Sequence, residues 1–259
     1  MQKHRFHGIL APRTRSFRWL EVMPLVLLSL WLISFLSLIG CGGGGGGSGR
    51  QTLPGENPLG PSVPTVPTTP ASPTTPITPV PTVASPGALI ADGWVDMGYG
   101  NYFSAQQKFQ SVLGLASATT LEKSEALNGV GWAKGKSYGM NAAVNDFLQA
   151  GAIPESLIGL AAGYVQSSEP GKIAQAVVVL ESLGLGDPLK VFTPTHPPIG
   201  MTNAEVHALL AYAYYWRNLG GDDVKARAQI LAARASDSST TSAVYQIYQA
   251  LIKLGLTGI

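Results

Sequence analysis

Gly93-Trp94 is followed by Ala105 and Phe109, and Gly131-Trp132 by Ala143 and Phe147, so four landmarks return in register 38 residues later. Self-similarity at such a period is the mark of a repeat architecture. One unit cannot bury its apolar side alone, so a chain built this way must stack its units. Two further copies are looser. Gly163-Tyr164 leads to Ala176 and Leu180, one residue longer, with Glu169-Pro170-Gly171 read as its turn. Ala211-Tyr212 leads to Ala226 and Ile230, with Leu219-Gly220-Gly221-Asp222 between them.

Each copy predicts helix, short turn, helix. In the first, Ala88–Gly98 precedes the turn Tyr99-Gly100-Asn101, and Tyr102, Ala105, Phe109 and Val112 fall at helical spacing. Small residues at fixed sites let neighbouring helices approach, and the large residue four positions on fills the space beside them. Ser242–Leu254 carries Val244, Ile247, Tyr248, Leu251 and Ile252, an amphipathic final helix with Ser239 or Thr241 as its expected N-cap.

These features resemble the tetratricopeptide repeat: a small residue in the first helix, a Gly-x-Tyr turn as in Gly100-Asn101-Tyr102, then alanine and a large apolar residue four apart. Leu210-Ala211-Tyr212-Ala213-Tyr214 matches the first-helix pattern closely. The resemblance covers roughly residues 90–255. Departures are Asp92 where an aliphatic residue is usual, Tyr138-Gly139-Met140 at the second turn, and Pro170-Gly171 in the third copy. It implies an all-α fold, a right-handed α-α solenoid of about four helix pairs closed by a capping helix, over residues 88–259. Family members of this kind serve as docking scaffolds.

Trp94, Trp132, Tyr164 and Tyr212 all stand directly after the small residue of a first helix. In tetratricopeptide domains that site faces the concave groove. Helical spacing adds Met97, Asn128, Lys136, Tyr215 and Trp216 to the same side. Aromatic rings bury much area at little entropic cost and carry a polar handle, which makes them good anchors for a peptide. The same row would equally serve as packing between repeats. Rings in a groove could also stack on sugars, in which case Glu125, Asn128 and Glu205 would supply the accompanying polar groups.

The amino end addresses the chain. Lys3, Arg5, Arg13, Arg15 and Arg18 precede Pro24–Gly40, PLVLLSLWLISFLSLIG, which has no charge. That stretch ends in Leu38-Ile39-Gly40-Cys41, which resembles a bacterial lipobox, so residues 1–40 read as a signal peptide and Cys41 as the site of a covalent lipid. An uncleaved anchor is the competing reading. Multiple acyl chains on one cysteine give stable anchoring in the cell envelope. Gly42 in place of aspartate favours the outer membrane by analogy with enteric sorting.

Residues 41–87 form the expected tether. Gly42–Gly47 is a swivel, and prolines then recur at 58, 61, 64, 67, 70, 73, 76 and 79. Polyproline II has three residues per turn, so this spacing predicts a semi-rigid, threonine-lined spacer.

The sequence carries no recognisable catalytic motif. His196, among Pro194, Pro197 and Pro198, and His207 are the only histidines beyond residue 41. No HExxH, GxSxG or EF-hand pattern occurs, and Gly131–Ser137 is one residue short of a phosphate loop. From Cys41 onward 12 basic residues face 14 acidic ones, which is no footprint for nucleic acid. The sequence therefore predicts a non-enzymatic chain without cofactor other than lipid, meeting another envelope protein or peptide. The connection Leu183–Thr202 is longer than a helix turn needs, with Leu189 and Phe192 expected to tuck beneath it.

Overall fold

The computed structural model describes residues 84–259, and every regular element among them is helical. The signal segment, Cys41 and nearly all of the tether lie outside the described residues. Nine α-helices follow one another: α1 (Pro86–Gly98), α2 (Tyr102–Gly114), α3 (Thr120–Tyr138), α4 (Val144–Ala150), α5 (Pro154–Gln166), α6 (Pro170–Ser182), α7 (Asn203–Arg217), α8 (Asp222–Ser236) and α9 (Ala243–Lys253). Two 3₁₀ turns, Met140–Ala143 and Pro197–Ile199, interrupt the series. None of the described helices is long and apolar enough to cross a membrane.

Local chemistry sets the boundaries. Ser85 caps α1 by accepting from the Ala88 amide, and Pro86 stands at the first helical position, two residues earlier than Ala88. Thr119 with Glu122 and Thr202 with Glu205 form complete capping boxes at the starts of α3 and α7. Pro154 and Pro170 open α5 and α6, so Pro170-Gly171 belongs to the helix and not to the turn before it. Gly139 ends α3 at φ +95, a conformation closed to most side chains. The cap of α9 is Ser242, not Ser239 or Thr241, and it accepts from the Tyr245 amide. The displaced pair instead shapes the approach, with Ser239 Oγ accepting from the Thr241 amide.

Each helix packs against the next, and α1 with α3, α3 with α5, and α5 with α7 also touch. The odd-numbered helices therefore form a continuous row, the even-numbered ones lie against it, and α9 covers α7 and α8. All four alanine landmarks (Ala105, Ala143, Ala176, Ala226) and their partners Phe109, Phe147, Leu180 and Ile230 are fully buried.

The first two copies share a detailed joint. Phe109 meets Trp94 edge to face at 5.1 Å, and Phe147 meets Trp132 the same way at 5.5 Å. Each phenylalanine sits between two glycines, one from its own copy and one from the next. Phe109 lies between Gly93 and Gly129, where a Cβ would approach the ring to 2.7 and 2.5 Å. Phe147 lies between Gly131 and Gly159, with 2.5 Å at the former. Helices approach here because the glycines leave a slot one ring thick.

Candidate functional site

Residues 183–202 cross the row of odd helices as an anchored strap. Gln229 on α8 donates to the carbonyls of Leu185 and Gly186 at 2.9 and 3.0 Å. The His207 ring on α7 meets the Lys190 carbonyl at 2.8 Å, and Asn203 Oδ1 accepts from the Phe192 amide at 2.7 Å. From Val191 to Pro198 the side chains alternate: Phe192, Pro194, His196 and Pro198 are half-buried, while Val191, Thr193, Thr195 and Pro197 are exposed, and the backbone at His196 is extended. That period of two is how an extended segment lies on a surface. Ile199 then enters the core, and the Pro197–Ile199 turn rests on α1.

His196 is the clasp. Its ring stacks on Trp94 at 4.0 Å with an interplanar angle of 8°. Its backbone amide donates to Glu155 Oε1 at 2.6 Å, and its Nδ1 lies 2.7 Å from Glu155 Oε2. Its Nε2 lies 3.3 Å from Glu125 Oε1, the same oxygen that accepts from the Trp94 indole at 3.1 Å. Burial alone would lower the His196 pKa, but the bond to Glu155 and the charges of Glu155 and Glu125 outweigh it and raise the value. Burial pushes the Glu155 carboxyl up, yet the His196 bonds and the Asn128 amide hold it below the usual range. Asn128, fully buried, donates to Glu155 at 3.2 Å and accepts from Ser156 at 2.9 Å.

The sequence-derived row is thus distributed among three environments. Trp94, Met97, Asn128 and Trp132 are buried, at 7, 2, 0 and 1% exposure, so these four belong to the packing between copies and beneath the strap. The open-groove reading fails for Trp94, whose ring His196 covers, while Trp132 packs edge to face on Phe147 and lines a pocket beside the strap. Tyr164 is 7% exposed, with the Lys172 ammonium 4.8 Å over its ring. Tyr212 and Trp216 are half-buried with rings 6.0 Å apart, and Tyr215 is buried with its hydroxyl donating to the Leu254 carbonyl. Glu125 and Asn128 spend their bonds inside the chain. Within the strap Leu189 is exposed at 85%, contrary to the expectation that it tucks under, and Leu185 and Ile199 are the buried anchors. Phe192 does pack against the core.

Beside the strap a pocket opens between α3, α5, α7 and α9. Trp132 and Lys136 line one wall, Met140 and Gln166 another, and Met201, Glu205, Leu209 and Ile247 complete it. Among the described residues the Lys136 ammonium makes no ion pair; burial lowers its pKa, and the charge of Glu205 opposes that shift. Its Nζ reaches Gly200, whose φ of +66 and missing side chain leave it room: a Cβ there would stand 3.1 Å away. Glu205 itself gives one oxygen to the Thr202 amide and hydroxyl.

Glu155, Ser156 and the clasp they build escaped the sequence reading. The available signal was His196, a lone histidine set among prolines in a connection too long for its span. Among the described residues no His/Cys/Asp/Glu group could hold a metal ion. No family model, curated protein or solved structure matches the chain.

Proposed function

We propose that this chain is a lipid-anchored lipoprotein of the cell envelope whose helical part is a tetratricopeptide-type docking scaffold. In this reading Cys41 carries the lipid, residues 41–87 are the tether, and helix pairs α1–α2, α3–α4, α5–α6 and α7–α8 form a right-handed solenoid capped by α9. Its partner is another envelope protein that presents an extended segment, and no bond is made or broken. The placement is at the outer membrane.

One observation carries the docking reading: the row of odd helices already holds an extended, proline-rich segment, the chain's own strap. Glu155 takes a backbone amide, Trp94 takes a ring face, and alternate side chains point inward. Those are the contacts by which surfaces receive extended peptides. The partner segment engages where this row continues past the strap, at half-buried Tyr212 and Trp216 on α7.

Cross-linking in the native envelope, with the captured protein identified and the capture repeated from its side, tests this. The same protein is expected with the parent chain and lost with a Tyr212→Ala, Trp216→Ala double variant that keeps its helical circular dichroism. Capture of an identical set by the folded double variant overturns the assignment. Anchoring is tested separately: labelled fatty acid is expected in the parent chain and absent from Cys41→Ser.

A further inference from the structure

We infer that the pocket between α3, α5, α7 and α9 is a binding site for a small amphiphilic carboxylate. Two donors on residues of its wall have no hydrogen-bond partner among the described residues. The Trp132 side chain is 1% exposed and its indole N–H finds no acceptor. Leaving such a donor unbonded is costly, so buried donors are almost always satisfied. The second is the Lys136 ammonium, half-buried and without an ion pair although Glu205 lines the same pocket.

The sign of the unmet demand selects the ligand. An ammonium and an indole N–H ask for an acceptor carrying negative charge, and one lysine matches one carboxylate. Glu205 meets part of the demand through space, but one of its oxygens is committed to the Thr202 cap. Apart from Gln166, whose amide oxygen accepts from the Asn141 amide at 2.9 Å, the rest of the wall is apolar: Met140, Ala162, Met201, Leu209 and Ile247. Two methionines give it an adaptable lining suited to a flexible alkyl chain. The missing side chain at Gly200 leaves room for the Lys136 ammonium beside the strap, so the charged end of the ligand lies toward the strap and its tail toward α7 and α9. This site is independent of the docking of a protein partner at Tyr212 and Trp216.

The test is calorimetric titration of the full chain in lipid nanodiscs, with empty discs as the blank, using hexanoate, hexanol and hexylammonium as probes. Hexanoate is expected to give a single saturable isotherm and to bind about tenfold or more tightly than either other probe. Lys136→Gln should weaken hexanoate by about tenfold while leaving hexanol unchanged, and Lys136→Arg should restore most of the loss. Trp132→Phe, which keeps the ring packing and removes the N–H, should weaken it by a smaller factor. Helical circular dichroism confirms that each variant is folded. Absence of saturable hexanoate binding overturns the inference. So does equal affinity for hexanol or hexylammonium, or a folded Lys136→Gln variant that binds hexanoate as the parent does. Partner cross-linking is not a readout here, so failure of the docking scaffold leaves this result standing, and the reverse holds too.

Discussion

The two halves of the helical region are joined by different means. From α1 to α5 the copies are keyed by shape, each phenylalanine filling a slot between glycines of adjacent copies. From α6 to α9 no glycine within a helix meets a neighbour closely, and polar clusters take over. Asp222 receives two bonds from Arg217 at 2.9 and 2.7 Å and a third from the Leu219 amide. Glu181 accepts from Tyr214 at 2.6 Å and from Lys225 at 3.0 Å. Shape keys are indifferent to pH and salt and intolerant of a methyl group. Polar keys behave in the opposite way.

Substitutions at the slots should separate the halves most sharply. Phe109→Ala is expected to cost about 3–5 kcal/mol by leaving a cavity. Gly129→Ala should cost about 2–3 kcal/mol by overpacking the same ring, against its helix propensity. Gly171→Ala, with nothing near its added carbon, should be neutral or stabilising by about 0.5 kcal/mol. Chemical denaturation of the three variants checks the ordering. If Gly129→Ala is as mild as Gly171→Ala, the slot is not a constraint.

Asp222→Asn, in the second half, should cost about 3 kcal/mol by leaving Arg217 without its anion. Burial pushes the Asp222 pKa up, but the Arg217 and Leu219 bonds prevail and depress it. Its contribution is therefore present above the unfolded value of about 3.9 and lost as pH falls through the lower folded value. Urea midpoints measured down the acid range should show that dependence in the parent and not in Asp222→Asn. The Phe109→Ala variant should retain it.

The strap shows the reverse sign at its clasp. His196 has a raised folded pKa, so its contribution is full below the unfolded value of about 6.5 and disappears as pH rises through the folded value. Hydrogen exchange at the amides of 190–199 should accelerate across that alkaline window in the parent chain, and His196→Ala should be fast throughout. A flat profile in the parent would remove the imidazole from the clasp. Smallest of all, Lys172→Gln should cost about 0.5 kcal/mol through its lost contact over Tyr164, a shift visible only in paired melts.

Much of the helical layout was legible because it rests on local patterns. Gly93-Trp94 and Gly131-Trp132 announced a repeat, and the four alanines and their large partners are buried as that spacing requires. What the sequence could not carry was the use of the aromatic row. A tryptophan after a glycine reads alike whether its far face meets solvent or another segment, and His196, five helices after Trp94, decides it. Buried acids are equally silent: Glu155 at the second position of α5 looks like an ordinary helix-start carboxylate until the strap's amide reaches it. Ser239 and Thr241 were plausible caps for α9 by composition, and only backbone conformation at Ser242 distinguishes it.

A row of helices touching only its neighbours has no reason to melt all at once, since either end can peel away while the rest survives. The contact between Trp94 and His196 removes that freedom. It fastens the first helix to a segment that emerges only after the sixth, so α1 cannot leave without tearing the ring stack and the Trp94 indole's bond to Glu125. Fraying at this end thereby requires release of the strap, and the same closure must wait until more than half of the helical region has been made. What the chain gains in a secured first helix it concedes in speed of assembly.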